Sequence, residues 1–212
     1  LFAETAKFQA EVQISKVLEG KVSTVHEVTD RAENLAYSLG VSVSTLHVRG
    51  AETPGTYQEL TRQLFESHPS YVLGMGFGQK EGGILTDRDW FYPYYQIDSQ
   101  IDSQDDSQAG AQLGSSTAPL QTTAQSDSVR YVDRAETPTA YFDSEAYRTY
   151  FLPQKSVWTA PYQSDDISAT GTAITDAATE DDGTTLLTYY SQIFDDQQTW
   201  LGTAVIDVDG AY

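Results

Sequence analysis

The chain has 212 residues, 31 acidic against 12 basic side chains, a net charge of −19 and no cysteine. That balance repels phosphate backbones and anionic lipid, which excludes nucleic-acid binding and direct docking on a lipid surface. Missing thiols exclude disulfides, cysteine-based zinc sites and thiol nucleophiles, while an apolar share of 39% suffices for one sizeable core or two small ones.

Residues 4 to 39 read as one long helix, or two joined near Gly20. Val25, Val28, Ala32, Leu35, Ala36 and Leu39 recur at three- and four-residue steps, and Gly40 is the expected stop. A helix of about 35 residues spans about 50 Å, more than a globular domain needs, so it suits a connecting role as well as packing along a sheet. No run approaches the ~20 apolar residues of a membrane span. The chain opens at Leu1 directly in this helical pattern, as expected of a segment whose flanking anchors were left out.

Val41 to Val48 alternates apolar and polar residues and reads as a short strand or extended linker. A second helix is expected from Thr56 to Ser67, with Leu60, Leu64 and Phe65 on one side and His68-Pro69 as its stop. Tyr71 to Phe77 is a strand, Gln79 to Gly83 a turn, and Ile84 to Ile97 the second arm of a hairpin, in which Pro93 marks an edge or a bulge. The glycines of Gly74-Met75-Gly76-Phe77-Gly78 sit inside a strand pattern and read as sites of close backbone packing.

Residues 98–128 carry a short D-S-Q repeat within Gly, Ser, Thr, Ala and Gln, and are too polar to bury a core. Val129 to Val132 resumes the strand pattern. A helical turn follows over Asp143 to Leu152, ended by Pro153, then a strand from Val157 to Gln163. A second polar insertion covers 164–183, and Thr184 to Phe194 and Leu201 to Val208 are the closing strands. The sum is an α+β chain: a helix over 1–40, then an antiparallel sheet module over 41–212 broken by two polar insertions.

The stretch from 141 to 209 carries three specific signals. Arg148-Thr149-Tyr150-Phe151 stands on a helical turn, Trp158-Thr159-Ala160-Pro161-Tyr162 on a strand, and Gly202-Thr203-Ala204-Val205-Ile206-Asp207 on the last strand. In this order they resemble the R-x-W-Y, W-x-x-P-Y and G-x-x-x-x-D elements of extracytoplasmic Cache sensor domains. The resemblance implies a PAS-like sheet behind a long signalling helix, in the extracytoplasmic part of a membrane-anchored receptor such as a histidine kinase, chemoreceptor, cyclase or phosphatase. It also implies that a membrane-proximal second module is missing or cut away.

For a ligand site the resemblance implies Arg148 as the anchor for an anion, Tyr150, Trp158 and Tyr162 as an aromatic box, and Asp207 as a polar partner. Arginine forks onto carboxylates and aromatic faces hold cations. Tyr150 and Phe151 replace the family's Trp and Tyr, and Asp143 and Ser164 stand where a Tyr and an Asp are expected. These departures point away from an α-amino acid and leave a different small molecule, or none. Homodimerisation through the N-terminal helix is a further implication, although Val25 to Leu39 equally suit covering the sheet. No cofactor is implied.

Other chemistries fit the residues less well. His26, His47 and His68 fall in no metal-ligand spacing. The acidic clusters at Glu180–Gly183 and Asp207–Gly210 do not make a twelve-residue calcium loop, and no catalytic loop motif is present. Trp90, Phe91, Tyr92, Tyr94 and Tyr95 read either as alternation along a strand or as a second pocket wall facing Tyr150, Trp158 and Tyr162. A secreted β-rich adhesion or carbohydrate-binding domain, using the same aromatics as a sugar platform, is the alternative to a sensor.

Overall fold

The computed structural model describes residues 2–97, 129–135, 142–163 and 185–211, with the side chains of the first helix described from Gln13 onward. Both polar insertions lie outside the described residues. Helix α1 spans Phe2–Val48, 47 residues, or about 70 Å at 1.5 Å per residue. Its second half packs on the sheet: Ala32, Ala36, Leu39 and Val43 are fully buried at three- and four-residue spacing, with Val28, Leu35 and Leu46 packed beside them. In the first half Ile14, Val17, Leu18, Val22 and Val25 are exposed.

The expected strand or linker over Val41 to Val48 is helix, because Val43 and Leu46 continue the buried stripe past Gly40. Gly40 lies against Ile193 and does not end the helix. The stop is Gly50, in the left-handed region at φ +77°. Its N–H bonds the His47 carbonyl at 2.9 Å, and the Ala51 N–H bonds the Leu46 carbonyl at 3.0 Å. This pair of bonds is the Schellman closure that favours glycine at that position. Helix α2 spans Pro54–Glu66 and opens on proline, whose missing N–H costs nothing there. It buries Tyr57, Thr61 and Phe65 at steps of four.

The strands are β1 (Val72–Gln79), β2 (Pro93–Ile97), β3 (Val129–Asp133), β4 (Val157–Trp158), β5 (Tyr162–Gln163), β6 (Thr185–Phe194) and β7 (Trp200–Asp209). Every pairing is antiparallel, and the order is β3-β2-β1-β7-β6-β4, with β5 also on β6. Both helices cover one face of the sheet. There Met75 faces Ile206 and Phe77 faces Ala204 across the β1–β7 ladder, all four buried with Tyr57, Phe65 and Phe91. A π-helical turn, Tyr147–Phe151, packs on the opposite face.

Two expected strands are shorter than the residue pattern suggests. From Ile84 to Tyr92 the chain wraps the Gln79 amide, which accepts from the Leu85 N–H at 2.9 Å and donates to the Arg88 carbonyl at 2.8 Å. Extended pairing resumes only at Pro93, which opens β2; β2 is flanked by β3 and is not an edge. The expected strand from Val157 to Gln163 is interrupted. Trp158 pairs with Tyr189, but Tyr162 pairs with Leu186, so one extra residue bulges out over Thr159–Pro161.

Candidate ligand site

Opposite the helices, the sheet carries a buried polar network in place of an apolar layer. Its floor is set by glycine. Gly74 and Gly76 on β1 face Asp207 and Val205 of β7 on one side and Gln96 and Tyr94 of β2 on the other. With no Cβ in the way, the Tyr94 ring lies across β1 and its hydroxyl donates to Oδ2 of Asp207. A Cβ at Gly74 would run into that hydroxyl and the ring behind it. The alternating glycines are thus sites of close packing, by a side chain from the neighbouring strand.

Arg134, in the turn after β3, completes the pair. Its Nη2 stands 3.3 Å from the same Oδ2, and its guanidinium carbon lies 3.4 Å from the centre of the Tyr94 ring, a cation–π stack. The Arg134 N–H donates to the Tyr92 carbonyl at 3.0 Å, which ties the turn to the strand carrying Tyr94. On the β6 side, the Thr188 hydroxyl donates to Oδ1 of Asp207 at 2.5 Å and shares a 2.6 Å hydrogen bond with the Tyr162 hydroxyl. Tyr92, Tyr147, Phe151, Tyr190, Trp200 and Val205 enclose this network.

Burial pushes the phenols up. Tyr92 rises to about 12, and Tyr94, Tyr162 and Tyr190 rise well above the ordinary range, with the nearby Asp207 carboxylate adding to the effect. Burial opposes the charge on Arg134, but its pKa is nonetheless raised, with Asp207, the Tyr94 ring stacked beneath it and the hydrogen bond to Tyr92 favouring the cation. At neutral pH the site is therefore the Arg134 cation and a set of neutral hydroxyls around Asp207.

The five residues expected from sequence are not all together. Asp207 is at the centre, Tyr162 reaches it through Thr188, and Tyr150 stacks face to face on Tyr190 at 4.5 Å. Trp158 is on the helix-covered face, because the bulge between β4 and β5 reverses its side: its ring tilts on Tyr189 and its Nε1 donates to Glu33 of α1 at 2.8 Å. Arg148 is on the π-turn with its side chain 63% exposed, 3.5 Å from the Asp143 carboxylate. The upstream aromatic run divides by alternation: Tyr92, Tyr94 and Trp90 join the site face, Phe91 and Tyr95 the helix-side core.

Arg134 and Thr188 were not legible as site residues, since neither belongs to a motif and their partner is distant in sequence. The histidines have structural surroundings: His47 meets the Ile84 carbonyl at 3.1 Å, and His68 stacks on Phe65. Among the described residues no group of three His, Cys, Asp or Glu side chains is placed to hold a metal ion, and no helix is long and apolar enough to cross a membrane. A depression of about 270 Å³ lined by His47, Glu52, Ile84, Leu85, Thr86 and Asp87 lies beside the end of α1 and contains none of the network residues.

No protein-family model matches the sequence, and no curated protein matches it. Solved structures do share the fold. A methyl-accepting chemotaxis protein X superposes with a TM-score of 0.56 at 13% identity, over 96% of this chain and 65% of that one. Two extracellular domains described as those of histidine kinases, soHK1S-Z6 and mmHK1S-Z2, each give 0.51 at 12% and 15% identity, over 87% of this chain and 54% of theirs. This chain thus spans about two thirds of the first and about half of the others. The α+β architecture expected from the Cache resemblance, a long helix on a PAS-like antiparallel sheet, is the fold of these receptor domains.

Proposed function

We propose that this chain is the extracytoplasmic ligand-sensing domain of a membrane-anchored signal-transduction receptor, and that it binds a small molecule without catalysing a reaction. The observation that carries this reading is the Arg134–Asp207–Tyr94–Thr188 network, enclosed by aromatic rings on the face away from the helices. Burying an ion pair costs several kcal/mol per ion in desolvation, and well-packed apolar residues would stabilise a purely structural face at least as well. A concave apolar wall with a few convergent polar groups is the ordinary constitution of a small-molecule site.

A contact route connects this face to the long helix. Thr188, which holds Asp207, accepts through its carbonyl from the Thr159 N–H at 2.9 Å and donates through its own N–H to the Thr159 hydroxyl at 3.0 Å. The adjacent Trp158 holds Glu33 of α1. A ligand that shifts the β4–β6 pairing would move this contact and bias the arrangement of α1, as a two-state receptor requires. The exposed apolar residues Ile14, Leu18 and Val25 then serve to pair two copies along their first helices. Sedimentation of wild type and Leu18→Asp tests that part: a dimer lost in the variant agrees with it, and a wild-type monomer at high concentration contradicts it.

A thermal-shift panel of amino acids, carboxylates, amines and sugars tests the reading as a whole. A ligand at a hundred times its Kd adds about 2.7 kcal/mol of stability. We expect at least one class to raise the melting temperature of wild type and to do so far less in Thr188→Val. A folded protein indifferent to every class would contradict small-molecule sensing.

A further inference from the structure

We infer, on the footing of the sensing reading above, that the ligand of this site is a small carboxylate or similar oxyanion received by Arg134, and not a cationic amine received by Asp207. The carboxylate is closed off. Oδ1 of Asp207 accepts from Thr188 at 2.5 Å, Oδ2 accepts from Tyr94 and Arg134, and the side chain is 4% exposed. An amine would have to displace those donors and shed its own hydration to reach it, and the displaced guanidinium would lose its counter-charge.

The guanidinium is placed differently. Its side chain is 23% exposed, the outer member of the pair. It meets Asp207 through Nη2 alone, at 3.3 Å, short of the two-point fork arginine makes with a dedicated carboxylate partner. Its described side-chain hydrogen bonds go to Asp207 and the Tyr92 phenol, which leaves donors of its five unspent among the described residues. The Tyr94 ring beneath it fixes its plane.

The outer, incompletely engaged member of the pair is thus a donor, and the group suited to meet it is one that supplies acceptors. Because burial keeps Tyr92 and Tyr162 protonated, neither phenol adds negative charge that would repel an anion.

Isothermal titration with acetate, succinate and glutarate, set against putrescine, choline and glucose, decides the question. The proteins are wild type, Arg134→Lys, and the double variant Arg134→Gln/Asp207→Asn, which removes both charges together and so strands neither. We expect a carboxylate to bind wild type, to bind Arg134→Lys more weakly, and to lose about 10- to 100-fold in the folded double variant. Binding of putrescine, choline or glucose with the carboxylates silent would overturn the anion inference and leave the sensing reading standing. Carboxylate binding that survives intact in the folded double variant would overturn the role of Arg134. Silence from every class in all three proteins would overturn both.

Discussion

The two faces of this sheet are built from the same strands by opposite rules. On the helix side, Met75, Phe77, Ala204 and Ile206 interdigitate with α1 and α2, and the layer is apolar throughout its centre. On the other side, the alternate positions of the same strands carry Gly74, Gly76, Asp207 and Thr188, and the space the glycines leave is filled by Tyr94 with Arg134 stacked on it. One face holds the fold together. The other holds a buried charge pair, Arg134 with Asp207.

That contrast is testable by substitution. The largest loss of stability should come from the helix side: Phe77→Ala deletes a fully buried ring and should cost about 3–5 kcal/mol in denaturant unfolding. Its effect on ligand affinity in the folded fraction should be small. Arg134→Ala should cost about 3 kcal/mol, because it leaves Asp207 buried without its counter-charge, and it should also abolish the ligand response. If Arg134→Ala matched wild type in stability, the pair would not be the buried unit described above.

Gly74→Ala should cost about 1–3 kcal/mol, since the new methyl forces Tyr94 off Asp207 and leaves a buried hydroxyl and carboxylate short of partners. Arg148→Ala, removing an exposed pair with Asp143, should change stability by under about 1 kcal/mol. A fall in affinity in Arg148→Ala comparable to that in Arg134→Ala would restore Arg148 as the anion anchor.

The buried phenols of the polar face should resist alkali until the chain unfolds. Tyr92 and Tyr147 are raised to about 12 and Tyr94 and Tyr190 are raised further, all first by burial. The folded state holds protons that the unfolded chain releases near pH 10. Their contribution is therefore complete below about pH 10 and is lost as pH rises through about 12. Absorbance titration at the phenolate band should show exposed tyrosines ionising first and these only with unfolding.

Much of the architecture was legible because period and punctuation agree in the long elements. The stripe Ala32, Ala36, Leu39 follows the helical repeat, and the closing strands follow from apolar runs on either side of the Asp195–Gln198 turn. Gly40 misled because a helical glycine looks like a stop, whereas the backbone condition that ends α1, a positive φ, is met at Gly50. Trp158 and Tyr162, four apart, would share a face on an unbroken strand, and one bulged residue separates them. Arg134 was out of reach for a different reason. Its partner is 73 residues away, and only the register of β2, β1 and β7 brings the two together.

In the proposed receptor a ligand acts on the polar face and α1 responds to it. Hydrogen exchange with and without the panel compound that most raises the melting temperature tests this most directly. We predict slowed exchange at Arg134–Ala135 and Thr188–Tyr190, with a change extending into α1 around Glu33. Protection confined to the His47–Asp87 depression, with β6 and α1 around Glu33 unaltered, would contradict it.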